Sequence, residues 1–398
     1  MKITYAIIAL LLFISCHKKV QIREVIIDNS LFKTIVINPD DISRKDIAKI
    51  SEIADSTIYI PLETRDDILI GNMTKVLVWD SKFYIWDSMT ETIFCFGQNG
   101  KFIHKISKRG SGPDEYPRIS DFSIHTKTGD VYIYSDSGQA FYQYSGDDGH
   151  FLNKIPITLI LSTFAIQRGD TFLCYCGRSP NRYYFSSVFP EQFRYVVLHD
   201  NINLAQQLKY TFRESHLNVP LSQNNFSFYK DTVLLTEYMK PEIYGIDESY
   251  RLIPRYKVEF TTNTYDLSFQ EDANIEKTQN SKNSGGLTTL SSFYETDDYI
   301  LMNYARKLYG FVYVAKNDNT IHNMGYFLFD DIQGIPMSIS ILYVDGEYLY
   351  TSTEPGLLLT QIKQLGKVKK SPYLENLATR IEEIDNPVIV KVKLKNHE

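Results

Sequence analysis

The sequence predicts an all-β fold, a six-bladed β-propeller of four-stranded blades, on three observations. First, residues 83–106 (FYIWDSMTETIFCFGQNGKFIHKI) and 131–155 (VYIYSDSGQAFYQYSGDDGHFLNKI) repeat one pattern. Each copy has an aromatic and β-branched run ending in Asp, a second aromatic run, an Asn-Gly or Asp-Gly turn, and Phe-Ile or Phe-Leu before Lys-Ile. Self-similarity over tens of residues marks an array of like units. Second, further degenerate copies anchor on Leu173, Leu234, Ile300 and Leu349, after Ile85 and Ile133 in the clean copies. Those positions are 48, 40, 61, 66 and 49 residues apart, and four-stranded units of about 40–50 residues are propeller blades. Third, aromatics make up 14% of the 398 residues and consist mostly of Tyr (29) and Phe (23), which favour strands.

Taken in chain order, Met1–Ser15 reads as a signal peptide. Lys2 precedes an apolar stretch from Ile3 to Ile14 that is too short to span a bilayer comfortably. Residues 16–54 are expected to be a tether and lead-in segment, and 55–398 the propeller. Within it, Ser56–Leu62 is a strand with no blade of its own. It is expected to complete the last blade by pairing with 387–394, closing the ring and covering an exposed edge.

Each blade then offers a leading strand, two strands of the repeat and one strand after the turn. The leading strands are expected at Ile119–His125, Thr163–Gln167, Asn225–Tyr229, Leu290–Tyr294 and Met337–Tyr343. Two long spacings imply insertions at 177–194 and roughly 261–289, the second rich in Asn, Ser and Gly. A helix is expected only at 372–384, capped by Ser371 ahead of Pro372, with Leu374, Leu377 and Ile381 on one stripe.

Two resemblances add to this reading. Phe13-Ile14-Ser15-Cys16 resembles a bacterial lipobox, which implies cleavage before Cys16 and a diacylglyceryl group on its thiol. Acyl chains contribute about 0.8 kcal/mol per buried methylene, so a multiply acylated Cys16 would hold the chain to a membrane. Tyr59-Ile60-Pro61-Leu62-Glu63-Thr64, Gly110-Ser111-Gly112-Pro113-Asp114-Glu115-Tyr116 and Asn386-Pro387-Val388 resemble segments of six-bladed propeller lipoproteins of Bacteroidetes, relatives of NHL-repeat propellers. That resemblance implies a propeller in the cell envelope, at the periplasmic face or the outer membrane. Surface-exported members of that group often carry acidic residues after the Cys. Basic His17-Lys18-Lys19 here points instead to the periplasmic side.

Composition narrows the function classes. The net charge of −6 is spread along the chain with no basic stripe, so nucleic acid is not an expected partner. The remaining cysteines, Cys95, Cys174 and Cys176, are odd in number and read as buried apolar thiols in strands. The histidines are scattered, with no His-x-x-x-His pair and no G-x-S-x-G elbow. The expected protein is therefore a monomeric, non-catalytic binding module for a glycan, peptide or envelope protein. It needs no cofactor or metal and meets the membrane only through Cys16.

The insertion at 177–194 is the candidate ligand site. Arg178, Arg182, Tyr183, Tyr184 and Phe185, with Phe189 and Arg194, offer aromatic faces for sugar rings and guanidinium groups for carboxylates. The stretch Arg109–Tyr116 reads as a connection between blades, its glycines and Pro113 setting the turn and Tyr116 packing inward. Asp87 and Asp136 read as turn caps. The rival reading is an enzyme acting on polysaccharide or lactone through the central channel, with calcium held by groups such as Asp121, Asn225 and Glu295. A close carboxylate pair in the channel would favour the enzyme, and an apolar channel with an aromatic patch would favour binding.

Overall fold

A computed structural model of the chain describes residues 27–41, 47–167, 171–177, 181, 193–199, 202–209, 224–237, 240–262, 288–306, 308–364 and 371–396. The fold is a β-propeller of small antiparallel sheets. The first sheet runs Met73–Trp79, Lys82–Asp87, Thr92–Gly97, Phe102–Ile106, and the second Asp121–Ile124, Val131–Ser135, Ala140–Tyr144, Phe151–Pro156. The third runs Thr163–Gln167, Thr171–Tyr175, Phe193–His199, Ile202–Lys209. The fourth runs Phe226–Tyr229, Thr232–Thr236, Glu242–Ile246, Leu252–Phe260, and the fifth Thr289–Glu295, Tyr299–Ala305, Tyr309–Ala315, Ile321–Gly325. A terminal sheet joins Tyr343–Asp345, Tyr348–Thr353 and Val388–Leu394 to the N-terminal strand Ala54–Pro61.

The repeats are aromatic and continuous because their strands are covered on both faces. All five residues of Val131–Ser135 are buried, whereas the outer strand Phe102–Ile106 alternates between covered and exposed positions. Consecutive sheets share apolar clusters. Trp86 and Cys95 of the first meet Phe122 and Ile133 of the second, and Tyr132 and Phe141 of the second meet Phe172 and Val196 of the third. Tyr195 of the third packs with Val233 and Tyr244 of the fourth, and Leu234 and Ile243 of the fourth with Ile300 and Val312 of the fifth. Tyr294 and Leu301 of the fifth meet Val344 and Leu349 of the terminal sheet, whose Ile60, Tyr350 and Ile389 pack back on Val76, Phe83 and Phe94 of the first.

Two expectations need correction. The described residues form seven sheets, not six. The seventh is three-stranded, Ala48–Lys49, Leu328–Asp330 and Ile335–Met337. Its hairpin forms because Gly334 adopts a φ of 83° and Asp330 accepts the backbone N–H groups of Ile332 and Gln333 at 3.1 and 3.0 Å. Met337 therefore ends this hairpin, and the leading strand expected at Met337–Tyr343 is only Tyr343–Asp345. Among the described residues the sheets also remain separate ladders. Ala54–Pro61 does pair antiparallel with Val388–Leu394, from Val388↔Pro61 to Leu394↔Ala54, but no hydrogen-bonded ring runs from sheet to sheet. Sheets meet through side chains.

The segment before Ala54 contributes strands of its own. Lys33–Ile37 adds a parallel edge to the fourth sheet, burying Ile35 and Ile37, and Asn38 then accepts the Asn323 amide of the fifth at 3.0 Å. Asp40 pairs with Arg306, and Ser51 donates to Asp331 at 2.7 Å. Helix Pro372–Ala378 has the expected Ser371 cap and buries Leu374 and Leu377. A second helix, Pro355–Gln364, was not foreseen; it buries Leu358, Leu359 and Ile362.

Candidate functional site

The leading strands of several sheets border a shared recess. Leu77 and Trp79 from the first sheet, Ser123 from the second, Ala165 from the third, Phe226 and Phe228 from the fourth, and Tyr343 and Asp345 from the terminal sheet line a cavity of about 260 Å³. Asn224 crosses this region, donating through Nδ2 to Tyr294 Oη at 2.8 Å and to the Leu342 carbonyl at 3.3 Å. Lys75, also in the lining, donates through Nζ to Asp121 Oδ1 at 2.7 Å and to the Phe122 carbonyl at 2.8 Å. The other Asp121 oxygen accepts Thr163 Oγ1 at 2.7 Å and Phe164 N at 3.0 Å.

The cavity mouth is built by the hairpins that follow the leading strands. Trp79 pairs with Lys82 across Asp80-Ser81, Tyr229 with Thr232 across Lys230-Asp231, and Asp345 with Tyr348 across Gly346-Glu347. Asp80 and Ser81 both take positive φ, 46° and 57°, as a type I′ turn requires. Two-residue turns hold Asp80, Lys230 and Glu347 on short, twist-matched hairpins. Next to this cavity lies a larger one of about 660 Å³, lined by Tyr229, Asp297, Tyr299, Glu347 and Lys395 among others. The two share Phe228, Lys230, Tyr343 and Asp345.

One wall of the larger cavity is an ordered charge cluster around Tyr229. Lys316, Lys230 and Arg255 stand over its ring at 4.6, 5.3 and 5.5 Å. The Tyr229 hydroxyl donates to Asp297 at 3.0 Å, and Lys230 pairs with Asp297 at 2.7 Å. Glu295 binds Arg255 at 2.7 Å and Lys316 at 2.9 Å and accepts Tyr256 Oη at 3.0 Å. Burial pushes the Glu295 carboxyl up, but hydrogen bonds and charge from Arg255 and Lys316 outweigh it and hold the group below its ordinary value.

The expected site residues fare differently. Arg178, Arg182, Tyr183, Tyr184, Phe185 and Phe189 lie outside the described residues, as does Cys16. Arg194 is buried, its Nε 2.5 Å from Glu237, so it ties the third sheet to the fourth instead of facing a ligand. Asp121, Asn225 and Glu295 do not converge: Asp121 and Glu295 serve the pairs above, and Asn225 donates to the Thr236 carbonyl at 2.7 Å. Among the described residues no three Asp, Glu, His or Cys side chains gather as a metal site would need.

Arg109–Tyr116 is a connector. Its Gly112 N–H is occupied by the chain's own Glu115 at 2.8 Å, and Tyr116 donates to the Glu91 carbonyl at 2.7 Å. Asp87 caps its turn by accepting Asn72 N and Met89 N at 2.8 and 3.1 Å. Cys174 and Cys176 are buried between the second and third sheets, and burial pushes both thiols up. The sequence reading missed the mouth residues Trp79, Asp80, Lys230 and Asp345. Their signal was available: each lies at the end of a leading strand or in the turn that follows it.

A family model described as a domain of unknown function, DUF4934, matches residues 32–393. The chain belongs to the DUF4934 family. Among solved structures, this DUF4934 chain is similar to a crystal structure named "Putative exported protein" from Bacteroides fragilis. The likeness has 19% identity, covers 92% of this chain and 100% of that one, and has a TM-score of 0.70. A member of the DUF4221 family from Bacteroides vulgatus matches at 9% identity over 86% of this chain and 98% of that one, with a TM-score of 0.48. Virginiamycin B lyase from Staphylococcus aureus matches at 9% identity over 85% and 99%, with a TM-score of 0.39. The first likeness shows the fold. No curated protein matches the DUF4934 chain.

Proposed function

We propose that this DUF4934 chain is an exported, lipid-anchored binding module of the cell envelope that takes its ligand at the mouth formed by the leading strands. In this reading the four-stranded antiparallel sheets stand as blades around the mouth. The order of packing from sheet to sheet supports that arrangement. The exported relative and the apolar stretch before Cys16 support the address.

The observation that carries the binding reading is the cavity lining. Trp79, Phe226, Phe228 and Tyr343 give it aromatic walls, and the buried carboxylate beneath it, Asp121, is already held by Lys75, Thr163 and Phe164. An apolar, aromatic recess with a few polar groups is the usual make-up of a small-ligand or side-chain pocket. No observation favours the enzyme.

Two measurements test the proposal. Trp79 is one of two tryptophans and lines the cavity, while Trp86 is buried. Envelope glycan fragments and peptides are titrated while tryptophan emission is followed; a ligand at the mouth shifts the emission, and Trp79→Phe abolishes the shift. A ligand that binds without touching the Trp79 signal places binding elsewhere, with the 177–194 insertion the next candidate. Fractionation of Cys16→Ser tests the anchor: it should leave the membrane fraction, and retention there removes the lipid from the proposal.

A further inference from the structure

The charged residues lining the 260 Å³ cavity, Lys75, Lys230, Asp80 and Asp345, are not paired with one another. Lys75 is spent on Asp121, and Lys230 on Asp297. Asp80 and Asp345, which line the 260 Å³ cavity, make no ion pair or side-chain hydrogen bond among the described residues. Lys391, whose charge reaches Asp345, stands over the Tyr348 ring at 3.8 Å and is not part of the lining. The rim of an aromatic recess therefore carries two exposed carboxylates that make no ion pair among the described residues.

A second, independent feature points to an occupant. The Ser123 side chain faces the same cavity, is 5% exposed, and has no hydrogen-bond partner among the described residues. A hydroxyl that opens on a recess and has no protein partner is available to what enters it. Ser123 can both donate and accept. Aromatic faces attract cations as well as apolar groups, so Trp79 and Phe228 suit a ligand that joins the two.

Resting on the mouth reading above, we propose that the cavity binds an ammonium or guanidinium group carried on an apolar stem. The charge sits at the Asp80–Asp345 rim, the stem lies on the aromatic walls and a polar atom reaches Ser123. The favoured source is a basic and apolar peptide segment, because a lysine or arginine side chain combines an apolar stem with a charged tip.

Calorimetry of the full chain with three probes that share a phenylethyl stem tests this: 2-phenylethylammonium, 2-phenylethanol and 3-phenylpropanoate. The ammonium is expected to bind about five-fold or more tightly than the alcohol, the advantage of one partly screened charge contact, and the carboxylate most weakly. Asp80→Asn with Asp345→Asn should erase the ranking while leaving the alcohol's affinity unchanged, and high salt should compress it. Ser123→Ala should weaken the ammonium and the alcohol together. Equal or tighter binding of the alcohol or the carboxylate at a site reported by Trp79 overturns the cationic preference and leaves the mouth reading standing. If none of the three binds at millimolar concentration to protein with an unchanged melting curve, the mouth reading falls with it. Preference of aminosugars over lysine- and arginine-containing peptides, in a second panel, overturns the peptide source.

Discussion

Lys75 and Asp121 pair at 2.7 Å across the first and second sheets with side chains only 4% and 2% exposed. Desolvating two charges is expensive, so such a pair persists only where further hydrogen bonds occupy the remaining donors and acceptors. Here Phe122 O takes a second Lys75 proton, while Thr163 and Phe164 serve the other Asp121 oxygen, so one ion pair links three leading strands.

Removing one partner leaves the other buried and uncompensated. Lys75→Met is expected to lower unfolding free energy by about 3–5 kcal/mol. Adding Asp121→Asn to that variant should recover part of the loss, because Asn can still accept from Thr163 and Phe164 without carrying charge. Denaturant unfolding of the two singles and the double gives the coupling; strict additivity would show that the pair does not act as a unit.

Gly100 tests how the N-terminal strand seats on the first sheet. Its φ is 78°, its carbonyl accepts Glu63 N at 2.8 Å, and a Cβ there would collide with the Pro61 carbonyl oxygen. Gly100→Ala should cost about 1–3 kcal/mol from backbone strain, with the collision in addition. Gly346 also has positive φ, 54°, but its Cβ would meet open space. Gly346→Ala should therefore cost only about 1 kcal/mol, and thermal melts of the two variants should rank in that order.

Asn224 tests the floor of the mouth. Its Nδ2 bridges Tyr294 Oη and the Leu342 carbonyl, which Tyr294 also reaches at 3.3 Å. Asn224→Ala should cost about 1–2 kcal/mol, because Tyr294 and Leu342 lose a buried partner. It should also loosen the packing beneath the cavity, read as faster amide exchange at Tyr343 and Val344.

The blades were legible because both clean repeats carry continuous aromatic and β-branched runs that are buried on both faces, and because Asn-Gly and Asp-Gly fix the turns. The three-stranded sheet was not. Ala48–Lys49 is too short to show periodicity, and its partner Leu328–Asp330 is over 270 residues away in the chain. The mouth was overlooked for a different reason. Trp79, Phe228 and Tyr343 read as ordinary strand aromatics, and only the closure of leading strands from distant repeats brings them together. Arg194 shows the opposite error: an arginine beside an insertion looked like a ligand contact, yet a glutamate 43 residues away, Glu237, holds it in the core.

Glu295 gives the acid side of the stability profile. Burial raises its carboxyl pKa, but Arg255 and Lys316 outweigh burial and leave it below the ordinary glutamate value. A depressed acid binds fewer protons folded than unfolded, so its stabilisation is fully present above the unfolded-state value, about 4.3, and is lost as pH falls through the lower, folded-state value. Glu295→Gln removes this contribution. It should be less stable than the parent at neutral pH, because Arg255 and Lys316 lose their shared partner. The difference should shrink steadily below about pH 4, where the parent carboxylate itself becomes protonated. Urea unfolding of both proteins from pH 7 to pH 3 checks it. Parallel profiles would mean that Glu295 titrates alike in the folded and unfolded chains and that the cluster around Tyr229 is not held by its charge.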